Sequence, residues 1–113
     1  MANLQLPLKR KWFEMTKSGE KKEDYREITE YWIRRLCISC QNDTNGDTIT
    51  IRGNTYAFKK FSTNTLTLGY PKAGDSERIL MLENKGIVIG TGYREWGAEP
   101  NTLYFIIKHG KIL

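Results

Sequence analysis

Long apolar runs are missing from this sequence. None approaches the roughly 18 residues that span a bilayer, and the opening MANLQLPLKR lacks the apolar core of a secretory leader. No membrane association is expected, and a cytoplasmic location is. Cysteine is scarce: Cys37 and Cys40 form a single Cys-x-x-Cys without the second pair that a structural zinc site needs. Reduced, partly buried thiols are the expected state. His109 is the only histidine; it stands in Lys-His-Gly-Lys, which reads as a turn carrying an exposed imidazole. The chain has no Ser-His-Asp set, no metal-ligand cluster and no phosphate-binding glycine motif, so neither a metal nor a cofactor is expected. Asn42-Asp43-Thr44 matches a glycosylation acceptor, which a cytoplasmic chain would not use.

What is present describes one folded domain. The 113 residues fit a single core, residues 1–113, and leave no room for two. A composition of 39% hydrophobic and 12% aromatic residues suits a globular protein, and the ten glycines fall between apolar runs, not in one flexible tract. The formal net charge of +5 points to an anionic partner. Basic residues are dense near the start, at Lys9, Arg10, Lys11, Lys17, Lys21, Lys22 and Arg26, where Glu14, Glu20, Glu23, Asp24 and Glu27 are interleaved with them. The residues alone fit either a binding face or a solubilising mixed-charge surface.

Leu4 to Leu8 alternates apolar and polar, the period of a half-buried strand, and Pro7 marks an edge or a strand end. Lys9 to Ser18 places Trp12, Phe13 and Met15 at helical spacing, with Gly19 at the left-handed cap position and Lys17 complementing the macrodipole. Lys21 to Ile28 reads as a strand with Lys22, Asp24 and Arg26 on one face. Thr29 caps a second helix whose apolar side is Tyr31, Trp32, Ile33, Leu36 and Cys37, with Glu30 and Arg34 spaced for an ion pair. That helix ends before the turn formers of Gln41 to Gly46. The rest reads as strands: Asp47 to Arg52 and Thr55 to Phe58 around a Gly53-Asn54 turn, Thr63 to Tyr70, Arg78 to Leu82 and Ile87 to Tyr93 around Asn84-Lys85-Gly86, then Leu103 to Ile107 and Ile112-Leu113. The expected fold is α+β, a small, mostly antiparallel β-barrel closed on itself, with two helices from the N-terminal half packed at its ends.

The arrangement of Leu6-Pro7-Leu8-Lys9, Trp12-Phe13, Ser18-Gly19-Glu20-Lys21 and Asp24-x-Arg26 resembles the start of the ASCH domains, members of the PUA-like superfamily. The family pattern runs from a strand ending in Lys, through a helix, to Gly-x-Lys-x-x-Glu-x-Arg; here Asp24 stands at the Glu position. Asn45-Gly46-Asp47 to Thr50 and Ile87 to Gly92 look like two of the family's later strands. The resemblance implies a PUA-like pseudo-barrel, a cleft lined by the Gly-x-Lys strand, and a role in RNA metabolism. One bacterial branch of the family hydrolyses the amide of N4-acetylcytidine through a Lys, a Thr three residues later and a distant Glu. Lys21 matches the first position and Asp24 replaces the Thr.

Two readings of the charged strand follow. Asp24 and Arg26 form a surface ion pair contributing about 0 to 1 kcal/mol, or Asp24 orients Lys21 and Arg26 toward an anionic ligand. The second needs Lys21 to turn inward beside Gly19, through a bulge or twist. Tyr25 and Trp96 are the candidate stacking platforms for a base, with Trp96 equally readable as a lid over the barrel, whereas the spacing of Trp12 and Trp32 assigns them to the core. The candidate ligand set is Lys9, Lys21, Asp24, Tyr25, Arg26, Glu95 and Trp96. Lys21 and Asp24, or a loop carboxylate such as Glu95 or Glu99, carry any acid-base chemistry. The expected function is an RNA- or modified-nucleoside-binding module, with RNA or a nucleotide as partner; a small amidohydrolase or ribonuclease using Lys21 is the alternative.

Overall fold

A computed structural model describes residues 2–40, 48–72 and 74–113. In chain order the elements are β1 (Ala2–Leu8), α1 (Arg10–Lys17), β2 (Glu23–Arg26), α2 (Glu30–Leu36), β3 (Cys37–Ser39), β4 (Thr48–Ile51), β5 (Asn54–Phe58), β6 (Phe61–Leu68), β7 (Ile79–Thr91), a 3-10 turn (Arg94–Trp96) and β8 (Leu103–Ile112). The α+β class is therefore as expected. Two sheets carry the strands, one of five in the order β1-β6-β7-β8-β2 and one of three in the order β3-β5-β4.

The five-stranded sheet curls into a half-barrel. This corrects the expected closed barrel: β1 and β2 are its two edges and do not pair. Instead, Arg26 Nη2 on β2 donates to Pro7 O on β1 at 3.1 Å, and Arg35 Nη2 on α2 donates to Gln5 O at 3.3 Å. Arginines thus occupy outward carbonyls of an edge strand that also carries a proline, two devices that protect an edge from further pairing.

Alternation puts Leu4, Leu6 and Leu8 of β1 into the core, where they meet Phe13, Leu36, Leu66, Phe105 and Ile107. Helix α1 lies against β6 and ends where Gly19 adopts a φ of 86°, a left-handed conformation that favours glycine. The oxygen of Thr29 accepts from Trp32 N–H at 3.3 Å and starts α2, as its sequence position indicated.

Several boundaries differ from those expected. Helix α2 stops at Leu36, because Cys37 is already extended and pairs with Phe58 in the small sheet. Glu30 faces Arg52, at 3.7 Å, in place of Arg34. The β4–β5 turn is Arg52-Gly53, both with positive φ, so Asn54 is the first residue of β5. There is no hairpin at Asn84-Lys85-Gly86: β7 runs through it as a single 13-residue strand. Likewise β8 runs through Lys108 to Lys111 without a turn. Two register shifts of opposite sense flank the Asn84–His109 pair, so local bulges absorb the glycines and the strands continue. The turn expected at Gln41 to Gly46, with the Asn42 acceptor and the Asn45-Gly46-Asp47 resemblance, lies outside the described residues.

Candidate functional site

Lys21 is placed by the turn that ends α1. The amides of Glu20 and Lys21 both donate to Met15 O, at 3.1 and 3.0 Å, wrapping the chain around the helix end. The Lys21 side chain is thereby directed inward and is 2% exposed. The inward turn occurs before β2 begins, not through a bulge within it. Its Nζ donates to Asp24 Oδ1 and to Glu23 O, each at 2.6 Å. Burial lowers the Lys21 pKa, opposed by the neighbouring Asp24 charge. Lys22, expected to share the face of Asp24, is exposed and precedes the strand.

The second oxygen of Asp24 corrects two expectations. It bonds not to Arg26 but to His109 Nε2, at 2.5 Å, and His109 is buried at 8% exposure, not displayed on a turn. The strand parity of β8 places Phe105, Ile107 and His109 on one side, toward the core. Beyond it, His109 Nδ1 meets Asn64 Nδ2 at 2.8 Å, and Asn64 Oδ1 accepts from Asn84 Nδ2 at 2.8 Å. Four adjacent strands, β6, β7, β8 and β2, thus each contribute one polar side chain to a row ending at Lys21. Burial pushes the Asp24 carboxyl up, but the His109 hydrogen bond and the Lys21 charge outweigh it and hold the group down at about 2. A surface ion pair between Asp24 and Arg26 is not what forms.

Beside this pair, in the seam between β1 and β2, lies a cleft of about 400 Å³. Lys21, Asp24, Tyr25 and Arg26 line one wall; Pro7 and Lys9 line the other, and Trp12, Trp96, Glu99 and Tyr104 complete it. Arg26 stacks over Trp32, 5.0 Å from the ring centroid, and burial lowers its pKa. Its Nε is buried without a hydrogen-bond partner among the described residues. Two cations here have lost much of their water, and Arg26 retains donors that are unused among the described residues.

Two tyrosine hydroxyls hold the loop over the cleft. Tyr25 Oη donates to Glu23 Oε1 and accepts from Tyr93 N–H, both at 2.9 Å. Tyr104 Oη accepts from Glu99 N–H at 3.0 Å. The loop approaches so closely that a Cβ on Gly92 would lie 2.5 Å from Tyr25 Cζ, and one on Gly97 3.0 Å from Trp12 Cζ2. Burial raises the Tyr25 pKa, keeping it an intact phenol. Trp96 packs edge-on to Tyr93, with centroids 4.9 Å apart.

Of the expected ligand set, Lys9, Lys21, Asp24, Tyr25, Arg26 and Trp96 line the cleft, and Glu95 does not; Glu99 stands there instead. Trp12, assigned to the core by its spacing, is half-buried and walls the cleft as well. His109, Asn64 and Asn84 were missed. The available signal for Asn64 was its parity with Leu66 and Leu68 on β6. No family model, curated protein or solved structure matches the chain.

Proposed function

We propose that the protein is an ASCH-type, PUA-like module that binds RNA or a modified nucleoside in the seam cleft. The observation that carries this reading is the desolvated Arg26 guanidinium, of which only Nη2 is hydrogen-bonded among the described residues, in a cleft walled by Trp12, Tyr25, Trp96 and Tyr104. Both oxygens of Asp24 already accept buried bonds, so the pair presents donors to the cleft. The ligand therefore carries acceptors, such as base carbonyls or phosphate oxygens, and a planar group that stacks. A cleft of about 400 Å³ admits a single base or nucleoside, not a duplex.

The test is a titration of the 15N-labelled protein with cytidine, N4-acetylcytidine and a single-stranded RNA hexamer at two salt concentrations. Saturable shifts confined to the Lys21–Arg26 and Gly92–Glu99 amides are expected, with weaker RNA binding at higher salt. Trp96→Ala is expected to weaken binding by about fivefold or more, since stacking contributes about 1–3 kcal/mol per base. Arg26→Lys loses the fork but keeps the charge and is expected to weaken it similarly. Absent shifts, or shifts confined to another face, overturn the proposal.

The depressed pKa of Lys21 favours a second reading, in which its amine serves as a base in hydrolysing an acylated nucleoside. Acetate appearing in the N4-acetylcytidine sample and tracking protein concentration would establish it. Its absence over several hours would remove it.

A further inference from the structure

We infer that His109, Asn64 and Asn84 are positioning residues that set how Lys21 presents its ammonium group to the cleft, an assignment that rests on the cleft being the ligand site. The main-chain N–H of Gly86 donates to Asn84 Oδ1 at 2.7 Å. A main-chain amide nitrogen only donates, so the direction of the line is fixed from that end. Asn84 turns its NH2 to Asn64 Oδ1, and Asn64 turns its own NH2 to His109 Nδ1. Nδ1 therefore accepts, and the ring hydrogen sits on Nε2, facing Asp24.

Reversing either amide would set donor against donor or acceptor against acceptor. The line therefore holds as a unit, inside a core where Asn64 is 0% exposed and Asp24 3%. Asp24 receives His109 on one oxygen and Lys21 on the other. An ammonium group has three donors; Asp24 and Glu23 O take two from Lys21, and the third has no partner among the described residues, at the wall of the cleft that Lys21 lines. The paired register shifts around Asn84 and His109 bring β7 and β8 into line with this row.

The free protein provides the first test. Long-range 1H–15N spectra of the His109 ring are expected to show Nε2 bearing the hydrogen and Nδ1 bare; the opposite tautomer overturns the inference. Asn64→Asp sets an acceptor opposite Nδ1, so both ring nitrogens are expected to carry hydrogen and the Lys21 15Nζ signal to shift, with the backbone amide spectrum otherwise retained. If that variant does not fold, His109→Gln and His109→Leu are compared. The Gln side chain still donates to Asp24 and is expected to keep the Lys21 15Nζ signal near its native position, and the Leu variant to displace it. A signal unmoved in both His109 variants, or in a folded Asn64→Asp, reduces the row to a structural role.

The RNA hexamer and N4-acetylcytidine then serve as probes. The His109 ring nitrogens are expected to shift in parallel with the cleft amides. A responding cleft with a silent His109 overturns the positioning role. A silent cleft refutes the ligand site, while the ring and Nζ spectra still decide whether the row governs Lys21.

Discussion

Replacing Lys21 by Met removes one partner of a desolvated ion pair and leaves the other in place. Asp24 is 3% exposed, and after the change His109 alone among the described residues would bond its carboxylate. Removing one member of a buried pair costs about 3–5 kcal/mol, because the remaining charge is uncompensated. Against a total stability of about 5–15 kcal/mol for a domain of this kind, that is a large share. Neutralising both partners is different. In Lys21→Met with Asp24→Asn, the new amide oxygen still accepts from His109 and no buried charge remains, so the double variant is expected to regain at least about 2 kcal/mol over the sum of the singles. Urea denaturation at pH 7, with m-values checked for constancy, measures all four corners of the cycle. A loss below about 1 kcal/mol in Lys21→Met would refute the desolvated pair, since that is the range of exposed ion pairs. The same magnitude explains why Arg26 and Trp96, not Lys21, carry the binding test: a Lys21 variant would confound lost affinity with lost fold.

Asp24 titrates at about 2 in the folded chain against an ordinary 3.8, worth about 2 kcal/mol of stability. As its folded pKa is depressed, that stability is complete above about pH 4 and is lost as pH falls toward about 2; in Asp24→Asn the urea midpoint should lose this part of its pH dependence. An unchanged acid limb would contradict the assignment. Gly92→Ala forces the Tyr25 ring away from a 2.5 Å clash, with an expected cost of about 1–3 kcal/mol. Faster hydrogen exchange at the Tyr93 amide should accompany it, and unaltered exchange there would show that the loop adjusts without moving Tyr25. Burial pushes the Cys37 thiol up to about 11, whereas Cys40 is half-buried. A disulfide-exchange reagent at pH 8 should therefore modify Cys40 quickly and Cys37 only in denaturant; equal rates would place Cys37 at the surface.

Local signals were legible and distant ones were not. The leucines of β1, the apolar face of α1, Gly19 and the Thr29 cap each declare themselves within a few residues, and each stands where the sequence placed it. The bond from Asp24 to His109 joins residues 85 apart, beyond any periodicity. Arg26, two residues from Asp24, was the nearer choice, but its guanidinium turns to Pro7 O and Trp32. Glycine misled twice: Gly86 and Gly110 read as turns, yet each lies in a strand beside a register shift that lets the ladder continue. Barrel closure was the largest miss. Whether edge strands pair depends on what reaches their outward carbonyls, and here side chains from β2 and α2 reach them first.

That failure to close explains why the legible motif and the cleft coincide. β1 and β2 are opposite edges of the sheet, yet α1 alone separates them in sequence. The residues from Pro7 to Glu27 therefore supply both walls of the seam and the tryptophan on the helix between them, and the Gly92–Glu99 loop provides the cover. A closed barrel would satisfy the edge groups of β2 with those of β1 and fill the space with a strand contact. An open one leaves Arg26 bridging the gap through a single described bond to Pro7. A ligand with acceptors that reach Arg26 and Lys21 would join the two edges through itself, so its binding free energy would also stabilise the sheet. Occupancy of the cleft should then slow hydrogen exchange in both β1 and β2, a coupling not expected of a ligand held only by the loop.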